Sequence, residues 1–225
     1  MSSDTAAILS SIQSAKSILI TAHKHPDLDA IGACLALGSH LRQKTPTTIW
    51  LEDYVHTHPL STHQPPIETV LPQNSTFDLM IICDCSNEDR IHNWSTHKQA
   101  LLANKPTIIN IDHHPDNTLF GTYNLHENIS SVCEMLTTLF ISQKWPITAD
   151  IATYLYAGIV FDTDRFLHPN TTPNTLNHAA HLIKSGARSQ DMHQLLYENL
   201  SEETITLIRR QKPLPRFLFG SKPIL

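Results

Sequence analysis

Apolar residues in this chain fall into short runs of two alternating kinds. Four are of strand length: Ser17–Ala22 (SILITA), Thr47–Leu51 (TTIWL), Phe77–Cys83 (FDLMIIC) and Pro106–Ile111 (PTIINI). The last two are continuous enough to predict strands buried on both faces. Other segments space their apolar residues as helices do: 4–15, Ala30–Gln43, a short stretch near 88–103, Ser130–Lys144, Ala149–Val160, Thr172–Ser185 and Ser201–Gln211. Ser131 and Glu134 have the spacing of a capping box. Pro173 stands in the first turn of its helix and Gly186 just past the end. Strands alternating with helices over the first 160 residues predict an α/β domain, with a mostly parallel sheet flanked by helices on both faces. Residues 53–75 predict a long loop with little structure, and 212–225 a proline-interrupted tail.

Composition bounds this picture. A length of 225 residues allows one full domain and a remainder, at about 150 residues per domain. We expect a domain over 1–200 and a linker helix with a tail over 201–225. Hydrophobic residues are 40% and charged residues 16%, which disfavours a disordered chain. No apolar run approaches the roughly 20 residues of a membrane span, so no membrane partner is expected. The formal charge is −5 and no extended basic face is visible, which argues against long duplex nucleic acid. Arg209, Arg210 and Lys212 form the single basic run and read as a solvated helix end. The 6 glycines are too scattered for a phosphate-cradling loop, so any phosphate chemistry falls to side chains or metal ions. Four cysteines without a C-x-x-C pair, and no signal-peptide pattern, predict a reduced, cytoplasmic protein.

The placement of Asp and His carries the chemistry. The first strand runs into His23, followed by Lys24-His25-Pro26-Asp27-Leu28-Asp29. The third runs into Asp84, the fourth into Asp112-His113-His114, and the apolar segment 154–161 into Asp162. Ligands of open parallel sheets bind at the carboxyl ends of the strands, so these four clusters are expected to converge. Carboxylates with imidazoles suit first-row divalent ions, whereas a softer site would recruit the cysteines. Asp27 and Asp29, read as two apart in a loop, would serve neighbouring ions, and paired ions can drive hydrolysis of a phosphoester. Taken singly, each cluster also reads as a turn, a cap or a satisfied histidine. His56, His58, His63, His92, His97, His126, His178, His181 and His193 read as surface positions without assigned chemistry.

Four motifs, in order, give the chain a family resemblance: HKHPDLDAIGA at 23–33, IICDCS at 81–86, NIDHHPDN at 110–117, and GIVFDTDRF at 158–166 with NTTPNTL at 170–176. Together they resemble the DHH (Asp-His-His) phosphoesterase family, and within it the group acting on nano-RNA and 3′-phosphoadenosine 5′-phosphate. The resemblance implies two divalent ions, manganese first, with magnesium or cobalt as alternatives. It implies that His23 and Asp27 hold one ion and that Asp29, His113 and Asp162 hold the other. Asp84 would bridge them, and a hydroxide held between the ions would attack phosphorus. Asp112 would keep His113 in its ligating tautomer, His114 would face the substrate phosphate, and Asn117 would orient that loop on the substrate side. The implied substrate is a short RNA or a nucleotide phosphoester, and a homodimer is left open.

Two departures from the family pattern stand out. Asp164 occupies the position where the family usually has glycine after Asp-Thr. The family also continues into a second lobe, DHHA1, with a G-G-G-H motif that does not occur in these 225 residues. We therefore expect a catalytic lobe followed by the start of an inter-lobe connection. A lobe that binds metal but turns over weakly is one alternative. A cyclic-dinucleotide phosphodiesterase or pyrophosphatase-like relative is another.

Overall fold

The strand-length runs assemble side by side. In a computed structural model that describes residues 3–54, 60, 64–72 and 76–193, six strands form one sheet in the order β3-β2-β1-β4-β5-β6. They are β1 (Ile18–Ala22), β2 (Thr47–Trp50), β3 (Ile67–Glu68), β4 (Leu79–Cys83), β5 (Thr107–Asp112) and β6 (Tyr123–His126). Every neighbouring pair is parallel. β1 and β4 are buried along their whole length, which is why they read as unbroken apolar runs. The helices are α1 (Ser3–Ser14), α2 (Leu28–Leu41), α3 (Trp94–Leu102), α4 (Val132–Ser142), α5 (Ala149–Asp162), α6 (Pro173–Lys184) and α7 (Ser189–His193). A 3-10 turn at Glu88–Arg90 precedes α3.

Alternate residues of the central strands face opposite layers. Leu19, Met80 and Ile82 join Trp50, Phe77, Cys85, Ile91, Trp94 and Leu101 in the core under α3. On the other face, α2 lies so close that a Cβ at Gly38 would sit 2.4 Å from Ile49. α5 packs as tightly on α2, where a Cβ at Gly32 would meet the Tyr154 carbonyl oxygen at 2.4 Å. All four cysteines are buried and unpaired. Among the described residues, no helix is long and apolar enough to cross a membrane.

Several local expectations are corrected. β3 lies inside the stretch expected to be a loop, and β6 was not anticipated. Both are short edge strands with a single buried position each, so neither produces an apolar run. α2 begins at Leu28, capped by Asp27, which puts Asp29 in its first turn and not in a loop. Ser131 does cap α4, accepting from the Glu134 N–H. The Glu134 side chain does not reach back, because it is engaged elsewhere. A full capping box forms instead at Thr172 and Thr175, with Pro173 in the first turn. Gly186 follows α6 with φ +96°, a conformation suited to glycine.

The chain divides into two compact units, Met1–Ser189 and Gln190–Leu225. Of the second, only Gln190–His193 are described, within α7. The predicted helix Ser201–Gln211, the basic run 209–212, the tail, and His56, His58 and His63 lie outside the described residues.

Candidate metal centre

The sheet order reverses between β1 and β4. The chain adds β2 and β3 on one side of this point and β5 and β6 on the other. Such a switch point leaves a crevice at the strands' carboxyl ends. The register pairs Ala22 with Cys83 and Cys83 with Ile111, so His23, Asp84 and Asp112 emerge as neighbours. Asp84 leaves β4 with φ +52°, and its N–H donates to the Ile111 carbonyl at 2.8 Å.

Local bonds aim each side chain. His23 donates from Nδ1 to the Lys24 carbonyl at 2.7 Å, which leaves Nε2 toward Asp27 Oδ2 at 3.9 Å and Asp84 Oδ2 at 3.6 Å. Asp27 uses Oδ1 to cap α2, accepting from the N–H groups of Asp29 and Ala30. His113 donates from Nδ1 to the Ile129 carbonyl at 3.1 Å. Its Nε2 meets Asp84 Oδ1 at 3.6 Å and Asp162 Oδ2 at 3.2 Å. Asp29 is fully buried and accepts from Val132 N at 2.7 Å and Cys133 N at 2.9 Å, where the α4 N-terminus favours a negative charge. Gly158 makes room for it, since a Cβ there would stand 2.5 Å from Asp29 Oδ1 and 2.4 Å from Cys133 Sγ. Three of the predicted positions follow strands, whereas Asp162 is the last residue of helix α5.

Three groups of donors each lie within 4.8 Å of one another: His23-Asp27-Asp84, Asp29-His113-Asp162 and Asp84-His113-His114. Asp84 thus turns one oxygen to His23 and the other to the histidine pair. Burial, together with the Asp84 charge, raises the pKa of Asp27 and raises that of Asp29 well above the usual carboxylate range. Burial and the charges of Asp29, Asp84 and Asp27 push Asp162 up to about 10. Burial alone would lower the His23 pKa, but its bonds to Asp84 and the Lys24 carbonyl and the Asp84 and Asp27 charges outweigh it. The buried Oδ1 of Asp84 has no hydrogen-bond partner. Crowded carboxylates, an unpartnered oxygen and imidazoles with Nε2 turned inward fit divalent cations, whose charge would offset the repulsion.

The histidine pair is held differently from the expectation. Asp112 bonds to His114, not His113: His114 Nδ1 donates to Asp112 Oδ1 at 2.8 Å. The Ile129 carbonyl holds His113 instead. Successive residues leave a strand in different directions, so Asp112 inside β5 reaches the second histidine. The Asp112 hydrogen bond is the main cause raising the His114 pKa. Burial would raise the Asp112 pKa, yet its bonds to His114 and Asn117 hold it below the ordinary value. Asn117 donates from Nδ2 to Asp112 Oδ2 at 2.5 Å and to Asn110 Oδ1 at 2.8 Å, and its Oδ1 accepts from Leu119 N at 2.6 Å. Its amide is thereby spent on positioning Asp112, which corrects the expectation that it faces the substrate.

Asp164 has φ +41°, followed by Arg165 at +62° and Phe166 at +67°. The family's glycine at this position therefore has a conformational reason. The Asp164 carboxylate is met by Arg165 at 3.0 and 3.2 Å, so its added charge is locally offset.

Sequence reasoning missed several supports. Glu134 is fully buried; it accepts from Ser130, from Thr175 Oγ1 at 2.9 Å and from His178 Nδ1 at 3.1 Å. It ties α4 to α6 beside the Ile129–Ser131 turn that orients His113. His178 is thus a partner of a buried carboxylate and not a bystander. His126 Nε2 donates to the His114 carbonyl at 2.8 Å. The Arg90 guanidinium makes no hydrogen bond or ion pair among the described residues, and its positive charge is felt at His114 and Cys85. No spacing rule signals the Glu134–Thr175 and Glu134–His178 pairs, because these partners are 41 and 44 residues apart in sequence.

A parallel sheet with an Asp/His cluster at its switch point defines the class, and direct comparison agrees. Residues 17–159 match the DHH family, N-terminal domain, and the chain belongs to that family. It is 32% identical over 191 residues to the bifunctional oligoribonuclease and PAP phosphatase NrnA of Bacillus subtilis, covering 80% of this chain and 57% of that protein. It is 31% identical over 179 residues to a probable protein of the same description from Streptococcus mutans, covering 79% and 55%. The chain thus spans little more than half the length of these relatives. The crystal structure of an exopolyphosphatase-related protein from Bacteroides fragilis superposes with a TM-score of 0.79 at 22% identity, covering 92% of this chain and 64% of that one. A putative family II inorganic pyrophosphatase from Methanococcus jannaschii superposes at 0.58 with 20% identity, covering 80% and 60%. These two likenesses concern the fold.

Proposed function

We propose that this chain is a metal-dependent phosphoesterase lobe that hydrolyses short oligoribonucleotides or 3′-phosphoadenosine 5′-phosphate with two manganese ions. The two faces of Asp84 carry the reading. Its Oδ2 lies 3.6 Å from His23 Nε2 and its Oδ1 3.6 Å from His113 Nε2, as expected of a carboxylate shared by two ions. His23 and Asp27 would complete one ion's set, and Asp29, His113 and Asp162 the other's. Bound ions would supply positive charge for the phosphoryl oxygens and activate water. The chain's own residues do the rest. Lys24 and Ile129 carbonyls fix the ligating tautomers of His23 and His113. Asp112, steadied by Asn117, orients His114 and favours its protonated form, which counters charge developing on a phosphoryl group. Arg90 adds positive charge felt at the same histidine. The descriptions of the Bacillus subtilis and Streptococcus mutans relatives support the substrate class.

The test is manganese-dependent release of nucleotide or phosphate from a dinucleotide and from adenosine bisphosphate, using the full chain. Asp84→Ala and His113→Ala should each abolish release while circular dichroism stays native. Undiminished activity in either variant overturns the assigned site.

A further inference from the structure

A second set of ligand-type side chains lies beside the centre and shares no residue with it. Glu52 follows β2, and His92 and His97 come from the segment that opens α3. Glu52 Oε1 accepts from Asn93 Nδ2 at 3.2 Å. That leaves Oε2, a buried oxygen with no hydrogen-bond partner. Two imidazole nitrogens approach this oxygen: His97 Nε2 at 3.5 Å and His92 Nε2 at 3.8 Å. Donors around a tetrahedral zinc ion, with bonds of about 2.0 Å, stand about 3.3 Å apart, close to the two separations from Glu52, while the two ring nitrogens are more widely spaced from each other. The rings are held from behind. His92 Nδ1 bonds to Asp53 Oδ2 at 2.5 Å, the carboxylate–histidine arrangement that orients metal ligands. The His97 ring meets buried Trp50 edge-on, with centroids 5.2 Å apart. All four side chains are largely sheltered, between 16% and 30% exposed.

We propose that Glu52, His92 and His97 form a separate site for a borderline divalent cation of the zinc type, with Asp53 positioning His92. Two imidazoles and one carboxylate suit such an ion better than a hard, oxygen-seeking one. The set is looser than the main centre, whose grouped donors all lie within 4.8 Å of one another, so a bound ion draws the rings inward. Asp53 also accepts from His25 N at 3.0 Å. The ion would therefore brace the end of β2, the start of α3 and the loop that carries His23 and Asp27.

The experiment titrates the metal-stripped full chain with zinc and with cobalt, counting ions by native mass spectrometry and following cobalt d–d absorption. Asp84→Asn, which disables the main centre, should retain one zinc ion. Adding His92→Gln and His97→Gln should remove that ion and its absorption band, with at least a 100-fold loss of affinity. Glu52→Gln, nearly isosteric, should do the same and serves as the test if the double variant misfolds. Equal ion counts and affinities with and without these substitutions overturn the proposal, including when ions are held by other histidines.

Discussion

Gly158→Ala probes how closely packing and chemistry are joined. The added methyl carbon would lie 2.5 Å from Asp29 Oδ1 and 2.4 Å from Cys133 Sγ, where ordinary contact begins near 3.4 Å. Something must therefore move by about 0.9 Å, while metal–ligand distances tolerate about 0.2 Å. Asp29 has little freedom, because two backbone N–H groups of α4 hold its oxygens. Overpacking of this kind costs about 1–3 kcal/mol, and replacing a helical glycine by alanine returns about 1 kcal/mol. We expect a net loss of about 0–2 kcal/mol in urea unfolding and a manganese affinity weaker by about 10–100-fold by calorimetry, the range found for disturbed ligand supports. A variant with wild-type stability and affinity within threefold of wild type would refute the claim that Gly158 makes room for Asp29.

Three further perturbations follow from the geometry. Asp162→Asn removes one of the crowded carboxylates, so the metal-free protein should melt roughly 2–4 °C higher, equivalent to about 1 kcal/mol, while manganese should raise its melting temperature less than in the wild type. A lower metal-free melting temperature contradicts this. Burial would raise the Glu134 pKa, but its bonds to His178, Ser130 and Thr175 depress it below the ordinary value of 4.5. Its contribution is therefore complete above that value and is lost as pH falls through the lower folded pKa. Stability measured from pH 6 to 3 should fall less steeply in Glu134→Gln, and parallel curves would dismiss the linkage. Asp164→Gly relieves a left-handed residue at φ +41° and should gain about 0.5 kcal/mol, read as a higher urea midpoint; an unchanged midpoint means no strain resides there.

What was legible depended on how locally each feature is encoded. β1 and β4 announced themselves because both faces are buried. β3 and β6, at or near the sheet edge, carry too few inward positions to signal. The convergence of His23, Asp84 and Asp112-His113-His114 could be anticipated, because parallel strands bring their carboxyl ends to one side. Which oxygen or nitrogen meets which partner could not. Asp112 was expected to serve His113 but serves His114, since the exit of β5 decides where successive side chains point. Glu134 was expected to close a local capping box but bonds across to α6, where the burial of its charge is satisfied by Thr175 and His178. The histidines at 92 and 97 looked incidental because Glu52 and Asp53 sit on another strand's exit, far away in sequence.

By itself, then, the sequence determined the α/β class, the parallel strands and the residue types at the strand ends, because periodicity and burial act over a few neighbouring positions. Only the tertiary structure decided which Asp84 oxygen faces which donor set, that Ile129 and not Asp112 orients His113, and that Gly158 opens space for Asp29. Those outcomes depend on distances of a few tenths of an ångström between segments far apart in the chain, which the packing of α2, α4 and α5 on the sheet establishes.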